Sequence, residues 1–283
     1  MITILGTGLL GSGFSRALLR RGERVQVWNR TAARAQALVE HGAVAFDDPA
    51  HACAGASRVH VVVSDDAAVD AVLDAARLDG SCAVYDHTTT STRGVLARTD
   101  HWRHCGVTYL HAPVFMGPAN ALESTGLMLV SGDRTAVADA TAVLSPMTGK
   151  LVDLGPRVDA AAAFKLLGNT LLMALTAGFT DMLGLAKATG IAPEEVAGLF
   201  DHFNPGASLP ARFRRMISAP WDDPSWALAM ARKDAGLVQA EAAEAGVELL
   251  MVPAVAARMD ALIAQGLGDI DWTVLARDVL PPR

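Results

Sequence analysis

Two polar side chains, Lys165 and Asn169, lie four residues apart in an otherwise apolar stretch and are candidates for proton transfer. Residues four apart share one face of a helix, so both side chains would point to the same place. The apolar residues around Lys165 would desolvate its ammonium group and lower its pKa from about 10.4 towards neutrality, where it can act as acid and base. Asn169 could orient the ammonium group or a substrate oxygen without adding charge. The alternative is a lysine at a helix end whose charge reaches water.

A glycine-rich loop at the start of the chain has the spacing that binds a dinucleotide pyrophosphate. It follows a strand-like run and precedes a helical segment that starts at Ser12. The first glycine of such a loop permits a tight turn, the second lets the backbone approach the pyrophosphate, and the third lets helix and strand pack closely. The helix N-terminus adds N–H donors and a positive dipole end. The alternative is a glycine-rich turn without a ligand. The predicted cofactor-binding residues are Gly6, Thr7, Gly8, Leu9, Leu10 and Gly11.

The end of the second predicted strand indicates which cofactor is bound. An NAD site usually has an acidic residue there for the ribose 2′-hydroxyl, whereas this strand ends Trp28-Asn29-Arg30-Thr31. Arg30 could hold a 2′-phosphate or stack on adenine, and Asn29 and Thr31 could add neutral hydrogen bonds. The alternative is a solvated arginine beside a threonine that only caps the next helix. The missing acid therefore predicts NADP(H).

The first part of the chain alternates short apolar runs with helical segments, which is typical of a parallel sheet with helices on both faces. Strands are predicted at 2–5, 25–28, 43–46, 59–63, 82–85 and 107–110, with later edge strands at 127–130 and 151–154. Thr31 is predicted to cap a helix over 32–40 that Gly42 ends. Asp48 before a proline, and Asp65 or Asp66, are predicted to begin later helices. The fold class is therefore α/β, with an N-terminal Rossmann domain over 1–156.

After Pro156 the strand pattern disappears, and an all-α C-terminal domain is predicted over 157–283. A long interdomain helix over 160–188 leads it, and helices at 193–200, 209–217, 225–245 and 253–265 follow. The long segment is apolar enough to raise the question of a membrane span. Its polar residues, Lys165, Asn169, Asp181 and Lys187, favour a buried helix of a soluble domain. Its small residues Gly168, Ala174, Ala177, Gly178 and Gly184 would permit close packing with a second copy.

The composition limits the classes of partner and of site. The chain has 283 residues, 51% of them hydrophobic, which suits about two domains with sizeable cores. A net charge of −6 without a long basic run argues against a nucleic-acid surface. Three cysteines without a CxxC pair fit a reducing cytoplasm, and no signal peptide is expected. His101, His104 and Cys105 lack a fourth ligand nearby, so no metal site is expected.

Several motifs in a fixed order resemble those of the β-hydroxyacid dehydrogenases, the family of 3-hydroxyisobutyrate dehydrogenase, tartronate semialdehyde reductase and glyoxylate/succinic semialdehyde reductase. The resemblance covers nearly the whole chain. After the glycine loop the matching segments are Val61-Val62-Val63-Ser64-Asp65, Asp86-His87-Thr88-Thr89-Thr90-Ser91, Phe164-Lys165-Leu166-Leu167-Gly168-Asn169, Lys233-Asp234 and Gly266-Leu267-Gly268-Asp269-Ile270-Asp271.

The resemblance implies roles for residues in these segments. Those implied at the cofactor are Val63, Ser64 and Asp65 along the ribose, Thr89 beside the nicotinamide, and Lys233. Lys165 and Asn169 would be the catalytic residues, with the lysine protonating the alkoxide that hydride transfer to a carbonyl creates. The ring of His87 could line the cofactor, or it could be a surface histidine. The resemblance also implies a homodimer in which the helical domain of one subunit helps to close the cleft of the other.

The loop after the sixth predicted strand departs from the family pattern. The family usually has D-x-P-V-S-G there, and its Ser-Gly pair helps to bind the substrate carboxylate. This chain has Phe115 and Met116 in those two places. With Trp226 at the position of a family pocket aromatic, they indicate a more apolar pocket; alternatively, both turn into the core. The predicted substrate-pocket residues are Thr89, Phe115, Met116, Gly117, Trp226 and Asp234.

The leading prediction is an NADP(H)-dependent oxidoreductase that interconverts a small aldehyde or keto compound, semialdehyde acids included, and its alcohol. Imine reductases of the same superfamily also lack the Ser-Gly anchor, so C=N reduction is the second candidate. They usually carry Asp, Tyr or a neutral residue where Lys165 stands, which favours C=O chemistry here. A third candidate is a non-catalytic NADP(H)-binding sensor or interaction module on the same fold. The presence of Lys165, Asn169 and Lys233 argues against it.

Overall fold

The computed structural model of the protein describes residues 1–218 and 220–281. The chain divides into two compact units, Met1–Asn169 and Thr170–Arg283, and the division falls inside a long helix. The domain boundary at residues 156 and 157 stays a prediction. Each unit is described by itself.

The first unit is built on a six-stranded parallel sheet, and this confirms the predicted α/β class. Its strands are β1 (Ile2–Leu5), β2 (Val25–Trp28), β3 (Val44–Phe46), β4 (Arg58–Val61), β5 (Ala83–Asp86) and β6 (Thr108–His111). They lie in the order β3-β2-β1-β4-β5-β6, and every neighbouring pair is parallel. The order reverses between β1 and β4, and ligands of such sheets bind outside the carboxyl ends of the strands at this switch point.

Both faces of this sheet are buried, which explains why its strands read as nearly continuous apolar runs. Ile4 and Leu5 are 0% exposed and belong to separate apolar clusters on the two faces. Phe14 of the first helix packs in the same cluster as Ile4, and Leu73 in the same cluster as Leu5. Each such buried side chain stabilises the fold by about 1.5–3 kcal/mol.

Seven helices accompany the strands of the first unit within the described residues. They are α1 (Leu9–Arg20), α2 (Ala32–Gln36), α3 (Pro49–Cys53), α4 (Asp66–Ala76), α5 (Thr92–His104), α6 (Pro118–Glu123) and α7 (Arg134–Leu144), with 3₁₀ turns at Val39–His41 and Ser145–Met147. The predicted caps at Asp48 and Asp65 are confirmed, because their carboxylates accept the N–H groups of Ala50 and Ala68. The predicted helix over 32–40 is split into α2 and a 3₁₀ turn that ends at the left-handed Gly42.

Three strands form a second sheet, so the predicted edge strands do not extend the first one. They are β7 (Val114–Phe115), β8 (Leu127–Val130) and β9 (Lys150–Asp153), with β7 antiparallel and β9 parallel to β8. The sequence analysis missed β7 and α6. Gly117 followed by Pro118 could have indicated the start of α6, because proline suits the first helical position. The amide oxygen of Asn120 accepts the N–H of Gly117 at this end.

The long helix α8 spans Ala160–Thr189, as predicted, but it is not the buried helix that was expected. It is long and apolar enough to cross a membrane by length and composition alone, and 17% of its most apolar 18-residue window is buried within the chain. Its large exposed side chains include Leu167, Leu171, Leu172, Met173, Phe179 and Leu183. Within a single chain the helix is therefore largely uncovered, and its burial against a second copy stays a prediction.

The second unit is helical, as predicted, and within its described residues the β-structure is one isolated bridge, Ala227 to Asp271. Its helices after α8 are α9 (Pro193–Gly198), α10 (Leu209–Ser218), α11 (Leu228–Glu244) and α12 (Val252–Ile263), with 3₁₀ segments at Leu199–Asp201, Pro205–Ser208 and Trp272–Val279. Its core contains Leu228, Ala231, Met259, Leu262 and Val274. The buried Asp181 carboxylate accepts the N–H groups of Leu250, Met251 and Val252 at the start of α12.

Helix α11 begins three residues later than predicted because Asp271 holds the preceding loop. Its carboxylate accepts both the N–H and the hydroxyl of Ser225 at 2.8 Å, and the N–H and hydroxyl of Thr273. The N–H of Leu228 then bonds to the carbonyl of Ile270. The acid of the C-terminal GxGxxD motif is therefore a structural centre of the second unit.

Candidate active site

A cavity of about 650 Å³ opens at the carboxyl ends of β1 and β4, where the strand order reverses. Ten residues predicted to bind a cofactor line it: Gly6, Gly8, Leu9, Leu10, Asn29, Arg30, Thr31, Val63, Ser64 and Thr89. Its wall also contains residues that the sequence analysis did not assign, namely Trp28, Arg34, Pro49, Val62, Ala68, Ala71, Val72, Ala75 and Thr88, together with His87. The cavity therefore gathers segments that are far apart in the sequence.

The three glycines of the loop meet three different steric requirements. Gly6 has φ +100°, and a Cβ there would lie 2.1 Å from the carbonyl oxygen of Val62. A Cβ on Gly11 would lie 1.9 Å from the carbonyl oxygen of Gly6, so this glycine permits the close approach of α1 to the strand. A Cβ on Gly8 would meet nothing within 4 Å, which leaves the backbone at the start of α1 open to the cavity. This arrangement suits a pyrophosphate.

Asn29 connects the glycine loop to the loop after β2. Its amide oxygen accepts the N–H of Thr7 at 3.0 Å, and its amide nitrogen donates to the carbonyl of Thr31 at 3.0 Å. Thr7 itself is 2% exposed and, like Gly11, does not line the cavity. Asn29 therefore sets the distance between the two loops, a role that the sequence analysis did not assign to it.

Two arginines, Arg30 and Arg34, line the cavity beside the end of β2. Both are exposed, and across residues 1–218 and 220–281 neither guanidinium has a carboxylate within 4.0 Å. Thr31 stands at the N-cap of α2, as predicted, but its side chain makes no capping hydrogen bond, and the residue lines the cavity. The sequence analysis missed Arg34, although its spacing of four residues from Arg30 could have indicated it.

The loop after β4 forms the next part of the wall. Val63 and Ser64 line the cavity, whereas the Asp65 carboxylate accepts the N–H of Ala68 at 2.9 Å and the Ser64 hydroxyl at 2.8 Å. These hydrogen bonds, that from Ala68 first, lower the pKa of Asp65. The N–H of Val63 donates to the Thr88 hydroxyl at 3.1 Å, which joins this loop to the one after β5. Asp65 thus supports the wall rather than facing the cavity, and its cofactor contact stays a prediction.

Thr89 is exposed to the cavity because the backbone on either side of it is fixed. The N–H of Thr88 donates to Asp86 Oδ1 at 2.9 Å, and the carbonyl of Thr88 lies 2.9 Å from His111 Nε2. Thr90, on the other side, is buried with its hydroxyl 3.2 Å from the same His111 nitrogen. The loop therefore presents one hydroxyl, that of Thr89, at the place predicted for the nicotinamide.

A buried chain of polar groups supports this loop from below, and the sequence analysis did not find it. The Tyr109 hydroxyl donates to Asp86 Oδ2 at 2.6 Å and accepts from Arg98 Nε at 3.1 Å. The guanidinium of Arg98, a residue only 4% exposed, also pairs with Asp66 and Asp70. Burial and the Asp86 charge raise the pKa of Tyr109 well above its ordinary value, which keeps its hydroxyl protonated.

Lys165 and Phe115 are in contact within the first unit. Lys165 Nζ lies 4.2 Å from the centroid of the Phe115 ring, a cation–π arrangement. Burial lowers the pKa of Lys165 below its ordinary value, and no carboxylate among the described residues forms an ion pair with it. Asn169, half-buried, lies one turn further along α8 on the same face. The lysine is thus a partly desolvated ammonium group without a counter-charge.

Phe115 and Met116 point in different directions. Met116 is half-buried and packs against the first apolar cluster of the sheet, and a Cβ on Gly126 would lie 2.9 Å from its Cγ. Phe115 instead contacts Lys165 and lies directly over Gly168. Met116 therefore turns towards the core, as one of the two interpretations has it, and the place of Phe115 in a substrate pocket stays a prediction. The exposed Gly117 follows at the N-cap of α6.

Three predicted site residues belong to the second unit. Lys233 Nζ lies 2.9 Å from Asp234 Oδ1, with both side chains largely exposed. Trp226 is 39% exposed and packs edge-on against Trp272, with ring centroids 5.2 Å apart. The roles of these residues at a cofactor or substrate stay predictions.

The described residues contain no group of three histidine, cysteine or acidic side chains that could hold a metal ion. His101 Nε2 and Cys105 Sγ are 4.0 Å apart at the exposed end of α5.

Comparison with known proteins agrees with this geometry. Residues 1–155 match the family model of the NAD-binding domain of 6-phosphogluconate dehydrogenase, and residues 160–279 match that of the NAD-binding region of NADP-dependent 3-hydroxyisobutyrate dehydrogenase. The chain is 25% identical to glyoxylate/succinic semialdehyde reductase 1 of Arabidopsis thaliana, over 98% of both chains.

Two similar solved structures have the same fold. A reductive aminase from Aspergillus terreus, in complex with NADPH and ethyl levulinate, is 23% identical over 98% of both chains, with a TM-score of 0.91. An imine reductase from Myxococcus stipitatus, in complex with NADP⁺, is 21% identical over 99% of both chains, also with a TM-score of 0.91. With its glycine loop, its cavity at the switch point and its matches to both family models, the chain belongs to the β-hydroxyacid dehydrogenase family and is an oxidoreductase that binds a nicotinamide dinucleotide.

Proposed function

We propose that the protein is an NADP(H)-dependent reductase or dehydrogenase that interconverts a small carbonyl compound and its alcohol, with Lys165 as the general acid and base. The observation that carries this proposal is the state of Lys165, whose ammonium group is half-buried, has a lowered pKa and lacks an acidic partner among the described residues. A lysine paired with a carboxylate would hold its proton too firmly for this work.

The residues divide the reaction between them. A nicotinamide cofactor in the cavity would supply or accept the hydride. Lys165 Nζ gives a proton to the oxygen as the C=O bond is reduced, and takes it back from the hydroxyl in the oxidation. Asn169, on the same helix face, orients that oxygen or the ammonium group. The Thr89 hydroxyl, whose neighbours Thr88 and Thr90 are held by Asp86 and His111, would lie beside the nicotinamide.

The preference for NADP(H) rests on the two arginines of the cavity. Arg30 and Arg34 have no carboxylate partner within the described ranges, and β2 ends without the acidic residue that an NAD site uses. Two free guanidinium groups suit the charge and geometry of a 2′-phosphate. Both proteins of the similar solved structures are in complex with the phosphorylated cofactor, and this supports the same choice here.

Reduction of C=N bonds is the second candidate. Phe115 takes the place of a small residue that anchors carboxylates in the family, and the similar solved structures are a reductive aminase and an imine reductase. Lys165 favours C=O chemistry, because a protonated imine is already cationic and a neighbouring ammonium group would repel it.

The proposal is tested by following NADPH absorbance with glyoxylate, succinic semialdehyde, uncharged aldehydes and ketones, and a cyclic imine. Lys165→Ala should reduce turnover of carbonyl compounds by about 100-fold or more. Lys187→Ala, at an exposed lysine near the end of the same helix, is the matched control and should retain activity. Turnover of the imine alone would support the second candidate. Binding of NADPH without turnover of any compound would indicate a sensor or interaction module.

We further propose a homodimer formed through α8, in which the helical region of one subunit helps to close the cleft of the other. The exposed Leu171, Leu172, Met173 and Phe179 support it, because a water-soluble monomer rarely leaves so many neighbouring apolar side chains uncovered. Gly178 and Gly184 do not contribute, since they face Met251 and Val247 of the same chain. Light scattering at micromolar concentration tests this, and a monodisperse monomer would exclude the dimer.

A cytoplasmic location is proposed from the three free cysteines, of which Cys53 and Cys82 are buried and Cys105 is exposed. We propose that the partner is a small-molecule substrate. Neither a nucleic acid nor a membrane is a proposed partner.

A further inference from the structure

The direction of the Phe115 ring has a consequence for the substrate. Phe115 ends the short strand β7, which pairs with β8 so that Phe115 lies opposite Leu127. Adjacent residues of an extended segment point to opposite sides. Met116 takes the side of the core, and Phe115 the side of Lys165. The position of the ring is therefore set by the second sheet.

Gly168 provides the space that the ring occupies. A Cβ on Gly168 would lie 2.3 Å from Phe115 Cζ and 2.6 Å from Cε1, far inside contact distance. The ring thus lies against the backbone of α8, one turn from Lys165, and covers one side of its ammonium group at 4.2 Å. The Phe115 ring can occupy this place only because residue 168 is glycine. Any side chain at 168 would overlap the ring.

The ring changes what can bind beside Lys165. A carboxylate leaves water at a large cost in free energy unless hydrogen-bond donors or a cation replace its hydration. A phenyl face offers no such donor, and its negative quadrupole attracts cations rather than anions. A carboxylate that paired with Lys165 instead would raise the pKa of the lysine and hinder proton transfer. An alkyl or ester group has no such cost against the ring.

We infer that Phe115, seated on Gly168, is a specificity-determining residue that excludes carboxylates from the substrate position beside Lys165 and selects uncharged aldehydes and ketones. This inference rests on the proposed carbonyl chemistry and names its substrate class.

The test compares succinic semialdehyde with its methyl ester, because both present the same aldehyde and differ in one charge. With NADPH and the wild-type protein, kcat/KM for the ester should exceed that for the acid at least tenfold. Phe115→Ser should shift this ratio towards the acid by tenfold or more. Phe115→Leu, which keeps an apolar side chain of similar size, should retain the preference. Circular dichroism and gel filtration identify a variant that fails to fold.

Binding is measured as a second readout by titration calorimetry of both compounds into the NADP⁺-saturated wild-type protein. Tighter binding of the ester supports the inference even if turnover is slow. Equal or better turnover and binding of the acid would overturn the inference and leave the proposed function intact. Absence of turnover with every carbonyl compound would overturn the proposed function, and the binding ratio would still decide whether the site excludes the carboxylate.

Discussion

His60 Nδ1 lies 2.9 Å from His87 Nε2, and the two buried rings stack at an interplanar angle of 13°. Their protonation follows from one further contact. His87 Nδ1 lies 2.7 Å from the carbonyl oxygen of Ala112, which can only accept, so this nitrogen carries the proton. Because burial lowers the pKa of His87 to about 4, the ring carries no second proton, and its Nε2 accepts from the Nδ1–H of His60. His60 Nε2 has no partner among the described residues, so both rings are neutral.

The first prediction is a loss of stability as the pH falls below about 6.5. Burial lowers the pKa of His87 to about 4 and that of His60 well below its ordinary value, and it lowers that of the buried His111 as well. Between about 4 and 6.5 the unfolded chain binds protons that the folded chain does not, so the free energy of unfolding falls with pH by up to about 1.4 kcal/mol per unit per histidine. Above about 6.5 this contribution is fully present.

Urea denaturation between pH 4.5 and 8 measures how steeply the free energy of unfolding changes with pH. His87→Gln should reduce this slope, whereas His51→Gln, at an exposed histidine of α3, should leave it unchanged. The carboxylates whose pKa is lowered, such as Asp66 and Asp181, lose their contribution only as the pH falls through and below about 4, so the two ranges are separate. A free energy of unfolding that stays constant from pH 8 to 5 would contradict the assignment of neutral rings.

The second prediction concerns Tyr109, which holds the loop of Thr89 through Asp86. Tyr109→Phe removes the hydroxyl between Asp86 and Arg98 and leaves buried polar atoms of both without their partner. We expect a loss of about 1–3 kcal/mol in the free energy of unfolding and a lower kcat/KM for NADPH, because Asp86 also accepts the N–H of Thr88. Thermal denaturation and initial rates measure the two effects.

Tyr85→Phe is the control for this variant. Tyr85 is the other tyrosine of the chain, is also buried, and its hydroxyl has no hydrogen-bond partner among the residues that the structure describes. It should change neither stability nor cofactor kinetics by a comparable amount. Equal effects of the two substitutions would mean that the Tyr109 hydroxyl does not position the loop.

The sequence predicted most of this fold because its patterns are local. The runs at β1 and β2 and the capping acids Asp48 and Asp65 gave correct elements, since each is decided by neighbouring residues. The directions of Phe115 and Met116 could not be predicted, because they depend on how β7 pairs with β8. The burial of His87 depends in the same way on His60, from a different strand.

The third prediction concerns cofactor choice. Arg30→Ala and Arg34→Ala should each raise the KM for NADPH by about 10- to 100-fold, since a charge-assisted hydrogen bond contributes about 1.5–3 kcal/mol. The KM for NADH should change little, because it has no 2′-phosphate. Arg24→Ala, at an exposed arginine that does not line the cavity, is the control. If the KM for NADPH and the KM for NADH rise equally, the arginines bind the adenine or stabilise the fold and do not bind the 2′-phosphate.

The fourth prediction is that Gly168 and Phe115 are energetically coupled. Gly168→Ala places a methyl group 2.3 Å from Phe115 Cζ, so the ring must move, and such overpacking costs about 1–3 kcal/mol in stability. With Phe115→Ala the space is free, so adding Gly168→Ala should cost nothing and could stabilise α8, because alanine is the better helix former by about 1 kcal/mol. The coupling energy of this double-mutant cycle should therefore be at least about 1 kcal/mol.

Gly198→Ala is the matched control for the cycle, because Gly198 also lies in a helix and a Cβ there would meet nothing within 4 Å. Gly198→Ala should leave the free energy of unfolding unchanged or raise it, whether residue 115 is phenylalanine or alanine. The free energies of unfolding of the four proteins of the cycle are measured by urea denaturation, and kcat/KM for an uncharged aldehyde is measured in parallel. Additive costs of the two substitutions would mean that the ring does not rest on Gly168 in solution. Because that contact also directs Phe115 towards Lys165, additivity would remove the structural basis for carboxylate exclusion.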